Sequence, residues 1–200
     1  MLEFLARNNI WLLIAAVAGV FAVQGTVLNW LGQPFVCECG HLSLWVGEVF
    51  SAENSQQLLD WYSFSHIIHG FIFYWLVGKL FPRLPLGVRL LLALGIEAGW
   101  EMFENTPMVI EAYRQQALAQ GYTGDSIINS LSDTLMMVGG FLFASRVSVR
   151  YVVAIAIAME LFTGFLIRDN LTLNVLNFVA PIPAIEEWQS GAVSYQRPAR

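Results

Sequence analysis

Three glutamates occupy a segment that is otherwise apolar enough to cross a membrane. Glu97, Glu101 and Glu104 lie in "GIEAGWEMFENTP", with no basic residue among them. On a helix they fall within about 60° of one another, so they form one acidic stripe. Charges in the hydrocarbon of a bilayer are costly, and they usually face the interior of a helix bundle and mark a functional site.

Two other apolar segments carry polar residues at helical spacing. His66 and His69 lie one turn apart in "SFSHIIHG", and Asp125, Asn129 and Asp133 follow at intervals of four in "GDSIINSLSDT". Asp125 also fits the N-cap position of its helix. Imidazole with carboxylate ligands suits Zn²⁺, Mn²⁺ or Fe²⁺, whereas carboxylate and amide oxygens alone suit Mg²⁺ or Ca²⁺. The pattern predicts a site for a divalent metal of unspecified identity, or for protons.

These residues divide into predicted ligands and predicted catalytic groups. The predicted metal ligands are His66, His69, Glu101, Glu104 and Asp133. We expect Glu97 to relay protons and Asn129 to orient water or substrate. Structural roles stay open for all of them, because buried imidazoles and carboxylic acids also hydrogen-bond to neighbouring helices.

The elements that position these residues are apolar blocks the length of membrane spans. The chain is 56% hydrophobic and 12% charged, far from the soluble norm of about 25% charged residues. We predict an all-α fold, a polytopic membrane helix bundle with about five transmembrane helices. They lie near residues 10–31, 64–81, 90–110, 126–144 and 152–167. They form one integral-membrane domain, residues 1–190. Segment 171–183 lies at the interface, with a sixth crossing as an alternative, and residues 191–200 form a polar tail.

The basic residues indicate how the bundle is oriented. With alternating spans, one side holds Arg7, Lys79, Arg83, Arg89, Arg146 and Arg150. The positive-inside rule therefore predicts a cytoplasmic N-terminus in a multi-pass protein of the bacterial inner membrane. The acidic 32–62 loop then lies outside, and the His and carboxylate residues lie in the outer half of the bilayer. No basic patch with interleaved aromatics occurs, so we expect no nucleic-acid partner.

The predicted outer loop contains "CECGH". Cys37 and Cys39 are two residues apart, a spacing that rarely closes a relaxed disulfide. A soft-metal site with His41, a disulfide within or between chains, and free thiols all stay open.

The chain resembles an uncharacterised family of small bacterial multi-pass membrane proteins. The resemblance rests on "CECG", "SAENSQQLLDWYSFSHIIHGF", "EAGWEMFENTPMVIEAYR", "GDSIINSLSDT" and "ELFTGFLIRDNLTLN". It implies a location in the cell membrane and brings no activity with it. Gln57 stands where a histidine is expected. A local similarity to VanZ-like membrane proteins covers the glutamate-bearing helix and the helix ending in "GG", and it implies that acidic and amide groups on consecutive helices form one site.

Three functions fit these features, so the sequence does not decide whether the protein is an enzyme. The first is a metal-dependent hydrolase or transferase that acts on a lipid or cell-envelope substrate at the outer leaflet. The second is a proton or cation carrier, which needs polar groups continuing toward the cytoplasm, where only Gln24 is found. The third is an accessory or assembly subunit whose polar layer packs against another membrane protein. The lipid bilayer is a partner in every case.

Overall fold

A computed structural model describes residues 10–116, 118–119 and 121–196. These residues form helices and loops, with one isolated bridge between Trp45 and Leu59. The all-α class is thus confirmed for this part of the chain. The helices are α1 (Ile10–Trp30), α2 (Ser63–Leu80), α3 (Leu86–Glu104), α4 (Pro107–Arg114), α5 (Ile127–Ala144), α6 (Val149–Ile167), α7 (Leu171–Val179) and α8 (Pro183–Gln196).

Within the described residues, three helices are long and apolar enough to cross a membrane. They are α1, α5 and α6. Helices α2 and α3 have similar lengths, 18 and 19 residues, but carry the histidines and glutamates. Five spans therefore stay a prediction, and so does the orientation, which relies in part on Arg7, outside the described residues.

The helices of the bundle meet most closely where α2 crosses α5. A Cβ added to Gly70 would collide with backbone atoms of Met137, Gly140 and Phe141, and one added to Gly140 would collide with the carbonyl of Ile67. Two glycines thus let the backbones touch. Helix α3 packs against both helices, α1 covers α3 and α5, and α6 lies against α2.

The loop before α2 folds back onto the start of α5. The backbone N–H groups of Ser126 and Ile127 donate to the carbonyls of Ser55 and Pro34, at 2.9 Å each. The Ser126 hydroxyl donates to the Gln56 carbonyl at 2.9 Å. We call the end of the bundle that carries this loop, residues 31–62, the loop end. It is the end at which α3 finishes and α5 begins.

Some helix boundaries differ from the predicted ones. The predicted 90–110 helix is two helices, because Pro107 lacks an N–H and holds Thr106 in extended backbone (ψ 149°). Ser126, not Asp125, caps α5, since its side chain accepts from the Asn129 N–H. The predicted 171–183 segment ends as α7 at Val179. Helix α8 runs past residue 191 to Gln196, and residues 197–200 lie outside the described residues, so the polar tail of 191–200 stays a prediction.

Candidate functional site

A carboxylate of α3 lies between two histidines of α2. Nδ1 of His66 is 2.6 Å from Oε1 of Glu97, and Nδ1 of His69 is 3.0 Å from Oε2. Glu97 is fully buried and His66 is 7% exposed. The i, i+3 spacing puts both rings on one face of α2, which lets them share a single partner on α3.

Only one of the two carboxylate oxygens of Glu101, one helical turn further along α3, accepts a hydrogen bond within the described residues. Its Oε2 accepts a 2.6 Å hydrogen bond from the Ser130 hydroxyl. Its buried Oε1 makes no hydrogen bond within the described residues, although Nδ1 of His66 lies 3.3 Å away. That nitrogen carries at most one proton and already contacts Glu97. An orphaned carboxylate oxygen beside a shared imidazole nitrogen indicates a place for a further proton or a cation.

Asp133 of α5 approaches the other side of the His66 ring. Its Oδ2 is 3.9 Å from Nε2 of His66, and its Oδ1 accepts from the Ser63 hydroxyl at 2.9 Å. His66 therefore has carboxylates on both sides of its ring, from α3 and from α5. The structure brings the predicted residues His69, Glu97, Glu101 and Asp133 around His66, which lies at their centre.

Away from the loop end, the polar contacts stop at a short network from α1. Gln24 is fully buried, and its amide donates to the hydroxyls of Ser130 at 2.8 Å and Thr134 at 2.9 Å. One turn before Glu97 on α3, and beyond Asp133 on α5, the next layer is apolar. It consists of Ala93, Leu94, Met137 and Phe141, all 0% exposed. We call these four residues the apolar plug.

Toward the loop end, the site opens into a cavity of about 600 Å³. Its floor includes His66, His69 and Asp133, and residues 48–52 and 54–55 of the loop lie over it. Glu104, at the end of α3, lines the wall. The volume falls in the range of small-molecule sites, about 300 to 1,000 Å³. The arrangement is a pocket with a His/carboxylate floor.

Acidic residues at the rim of the cavity are shifted toward their neutral forms. Burial raises the pKa of Asp125 to about 6, against the lowering effect of hydrogen bonds from Asn105 and Tyr122. Burial likewise raises the pKa of Asp169 to about 6, although the Asn170 N–H and the Tyr62 hydroxyl donate to it. Both groups titrate close to neutral pH, so the rim readily takes up protons or positive charge.

The remaining predicted residues have other surroundings. Asn129 is 1% exposed, and its amide donates to the Gln57 carbonyl at 2.8 Å, so it ties the loop to α5. Glu160 of α6 accepts the N–H groups of Leu171 and Thr172 and so caps α7. Asp125 bonds to Asn105 instead of capping α5.

No arginine neutralises the site in the described part of the chain. Arg114 donates to the carbonyl of Tyr122 and lies 3.8 Å from Glu111. Arg168 donates to the carbonyl of Trp188 and stacks over its ring. Neither contacts Glu97, Glu101 or Asp133. Ser63, Ser130 and Thr134 are partners that the sequence analysis missed, although Ser130 and Thr134 are four residues apart on the face of α5 next to that of Asp133.

A second group of ligand-type side chains lies in the loop. Cys39, His41 and Glu53 place donor atoms within 4.8 Å of one another, as do His66, His69 and Glu97. The structure joins Cys39 to Cys37 in a disulfide. Of the alternatives for "CECGH", the structure has the disulfide within the chain. His41 Nε2 lies 3.0 Å from Glu53 Oε2 as an exposed pair.

Comparisons with known proteins place the chain among uncharacterised bacterial proteins. The family model described as "Protein of unknown function (DUF2585)" matches residues 28–191. A UPF0314 protein of Sphingopyxis alaskensis is 52% identical over 181 residues, covering 90% of this chain and 95% of its own. A UPF0314 protein of Rhizobium meliloti is 54% identical over 185 residues, covering 92% and 93%. No solved structure matches. None of these findings bears on the VanZ-like similarity, which stays a prediction.

Proposed function

The chain belongs to the DUF2585 family, whose description gives no function, and from the geometry of its site we propose one. It is a multi-pass protein of the bacterial inner membrane that carries a metal-dependent hydrolase or transferase site open to the outer face. Its substrate is a lipid or another molecule of the cell envelope. The observation that carries the proposal is the convergence of His66, His69 and Glu97 beside the orphaned oxygen of Glu101.

Five spanning helices follow from adding α2 and α3 to the three apolar ones. His66, His69 and Glu97, which lower the apolarity of α2 and α3, are turned toward one another at the site, so they are not lipid-facing. Trp11 and Trp30 stand exposed at the two ends of α1, as interfacial anchors do. With the N-terminus inside, the loop end and its cavity face outward.

The donor set fits a divalent metal. Catalytic zinc sites use three protein ligands and keep one position open, and two histidines with one glutamate are among the known sets. His66 Nδ1, His69 Nδ1 and a Glu97 oxygen provide such a set, and the cavity adjoins it. Glu101 adds a second carboxylate, so a divalent cation leaves the group neutral, as a bilayer interior requires. Glu97 is thus a ligand here, rather than the proton relay that the sequence suggested.

The remaining groups supply the chemistry of hydrolysis or transfer. A divalent metal lowers the pKa of a water in its open position to about 7 and polarises a carbonyl or phosphoryl oxygen. Asp133 lines the cavity beside His66, and it accepts the proton of the attacking water or hydroxyl. Ser63 holds Asp133 in place through its hydroxyl.

The apolar plug favours a pocket over a conduit. A carrier needs polar groups that continue through the bundle, yet the layer beyond Gln24 consists of four fully buried apolar side chains. Water and ions cross such a layer at a high desolvation cost. The same plug gives the loop end a closed floor, as a site for an outer-leaflet substrate needs.

The metal content of purified protein tests this function. The native chain in detergent, loaded with divalent metals and dialysed, is analysed by ICP-MS beside Glu97→Gln and beside His66→Ala with His69→Ala. We expect about one metal per native chain and a loss of at least about tenfold in affinity in both variants. Glu111→Gln, an exposed glutamate, is the matched control and keeps the metal.

Two results would overturn the proposal. The first is a folded native protein that holds no metal after loading, which leaves the accessory-subunit and proton-carrier alternatives. The second is a metal that Glu97→Gln retains and His41→Ala loses, because it would lie in the loop group of Cys39, His41 and Glu53.

A further inference from the structure

The cavity wall carries acidic groups without basic ones. Five carboxylates line the cavity, and no lysine or arginine does so among its described lining residues. They are Glu48, Glu104, Asp125, Asp133 and Asp169. Asp133 is 4% exposed, and its Oδ2 makes no hydrogen bond in the described part of the chain. An anionic group at this wall would face carboxyl groups and no lysine or arginine, so charge complementarity favours a cationic ligand group there.

Aromatic rings stand between these carboxylates. Tyr62, Tyr113, Tyr122 and Trp100 line the same cavity. The rings of Tyr113 and Tyr122 meet edge to face, with centroids 5.6 Å apart. Ring faces attract ammonium groups, and aromatic walls beside carboxylates are how proteins hold amine and quaternary ammonium ligands. The wall therefore fits an ammonium group better than a bare metal ion.

One side of the cavity is apolar and reaches the surface of the bundle. Ile96 of α3 and Val175 of α7 both line the cavity, yet they are 47% and 48% exposed. Trp100 and Leu171 lie on the same two helices and also line it. Because these half-exposed side chains also line the cavity, we place the opening of the cavity between α3 and α7, beside the ring contact of Trp100 with Phe178. In the proposed topology this opening faces the hydrocarbon of the outer leaflet.

We propose that the cavity binds a lipid with an ammonium headgroup, whose acyl chains leave through the gap between α3 and α7. The ammonium lies among the carboxylates and aromatic rings of the wall, and the headgroup approaches the His66–Glu97 floor. That this lipid is the substrate rests on the proposed function. Binding itself needs only the cavity wall and the gap.

A matched pair of lipids tests the proposal. Phosphatidylethanolamine and phosphatidylglycerol of identical acyl chains share the phosphate, and only the first carries an ammonium group. The full-length native protein in neutral detergent is incubated with each lipid, and lipid retention is measured by native mass spectrometry. We expect phosphatidylethanolamine to be retained at least about tenfold more tightly. We expect Glu48→Gln with Glu104→Gln to reduce that preference at least about fivefold, and Glu111→Gln to keep it.

The gap is tested separately with Val175→Trp, which fills it with a larger side chain. We expect weaker retention of both lipids, because neither can place its acyl chains in the filled gap. The control is Val153→Trp on the exposed face of α6, which should leave lipid retention unchanged. Equal retention of the two lipids by the native chain, or a preference that survives loss of Glu48 and Glu104, would overturn the ammonium site. Unchanged retention in Val175→Trp would overturn the lateral gap.

The two proposals fail separately because metal is measured on the same samples. Selective lipid binding by a metal-free native protein supports the lipid site and rejects the metal-dependent reaction. A native protein that holds a stoichiometric metal but shows no lipid preference supports the metal site and rejects the ammonium-lipid site. Glu48 is exposed in the loop, so the single Glu48→Gln variant still reports on the cavity if Glu104→Gln fails to fold.

Discussion

Helices α3 and α5 contribute to two very different layers, a polar one that α2 completes and an apolar one. Toward the loop end, His66, Glu97 and Asp133 are held by hydrogen bonds and charge, with one carboxylate oxygen left unsatisfied beside them. One to two turns away, the apolar plug is fully buried and contains no polar side chain. The apolar half of the bundle thus stabilises the fold by packing. The half at the loop end contains buried carboxyl and imidazole groups, whose burial costs free energy unless a proton or a cation binds them.

The contrast between the two layers places the candidate functional site in the polar layer. Packing explains the plug completely, because Leu94, Met137 and Phe141 fill the space between helices that two glycines bring together. Packing does not explain three carboxylates around one imidazole. If the two layers are independent, substitutions in the apolar plug lower the free energy of unfolding without affecting metal binding. Substitutions in the polar layer then weaken metal binding without lowering the free energy of unfolding.

We expect the largest loss of folded protein from a substitution at Gly70, where α2 crosses α5. The Cβ of Gly70→Ala would strike the backbone of α5, so the helices must separate and both layers are lost. We expect little folded protein by gel filtration and no metal binding. Gly139→Ala is the control, since a Cβ there meets nothing within 4 Å and alanine favours a helix. Equal stability of the two variants would contradict the close crossing.

The next effect concerns the plug alone. Leu94→Ala should lower the free energy of unfolding by about 3 kcal/mol, because it leaves a cavity among fully buried neighbours. Denaturant titration followed by circular dichroism measures it, with Leu92→Ala, at a partly exposed site, as the control. Metal content should match that of the native chain. A folded Leu94→Ala protein without metal would show that the layers are coupled.

A smaller effect distinguishes the layers by pH. The pKa of Asp169 is raised to about 6 in the folded chain from 3.8, so folding favours its neutral form. Its contribution to stability is complete below pH 3.8 and is lost as pH rises through 6, and on the order of 2 kcal/mol of that loss falls between pH 4 and pH 7. The unfolding temperature of Asp169→Asn should therefore fall less between pH 4 and pH 7 than that of the native chain.

The control for this titration is Glu111→Gln, which should keep the native pH profile because Glu111 is exposed. The Leu94→Ala variant should also keep that profile, at lower stability throughout. If Asp169→Asn follows the native curve, Asp169 is not the group that titrates at the rim.

The smallest effect is expected at the boundary of the polar layer. Gln24→Leu removes the amide that donates to Ser130 and Thr134, and it should cost about 1 kcal/mol of stability. Metal content should stay at the native level, with Thr26→Val as the control on the same helix. Loss of metal in a folded Gln24→Leu protein would show that the metal site extends beyond Glu101 to the hydrogen bonds of Gln24.

The sequence predicted the all-α class, which the structure confirms for the described residues. Helical spacing and the cost of buried charge singled out His66, His69, Glu101 and Asp133, which lie close together in the structure; their role as a functional site stays a prediction. The separate roles were harder to predict, because Glu97 and Glu101 share one helix face and only the position of α2 decides which of them meets both histidines.

Where the structure differs from the sequence-based picture, the causes are local. Pro107 was within the predicted third span, and its missing N–H ends α3 at Glu104. Glu160 accepts the free N–H groups at the start of α7. Asn129 lies on the polar stripe and donates to a loop carbonyl, and its role in orienting water or substrate stays a prediction. Each of these depends on contacts between distant segments, which spacing along one helix does not contain.

X-ray absorption spectroscopy on the zinc-loaded native protein tests the proposed metal site of the polar layer. We expect two imidazole nitrogens and carboxylate oxygen at about 2.0 to 2.1 Å, with no sulfur neighbour, and the imidazole scattering should disappear in the His66→Ala with His69→Ala variant. A sulfur shell at about 2.3 Å would place the metal at Cys39 and His41 in the loop. That result, or a folded protein that binds no zinc, would overturn the metal site at His66, His69 and Glu97.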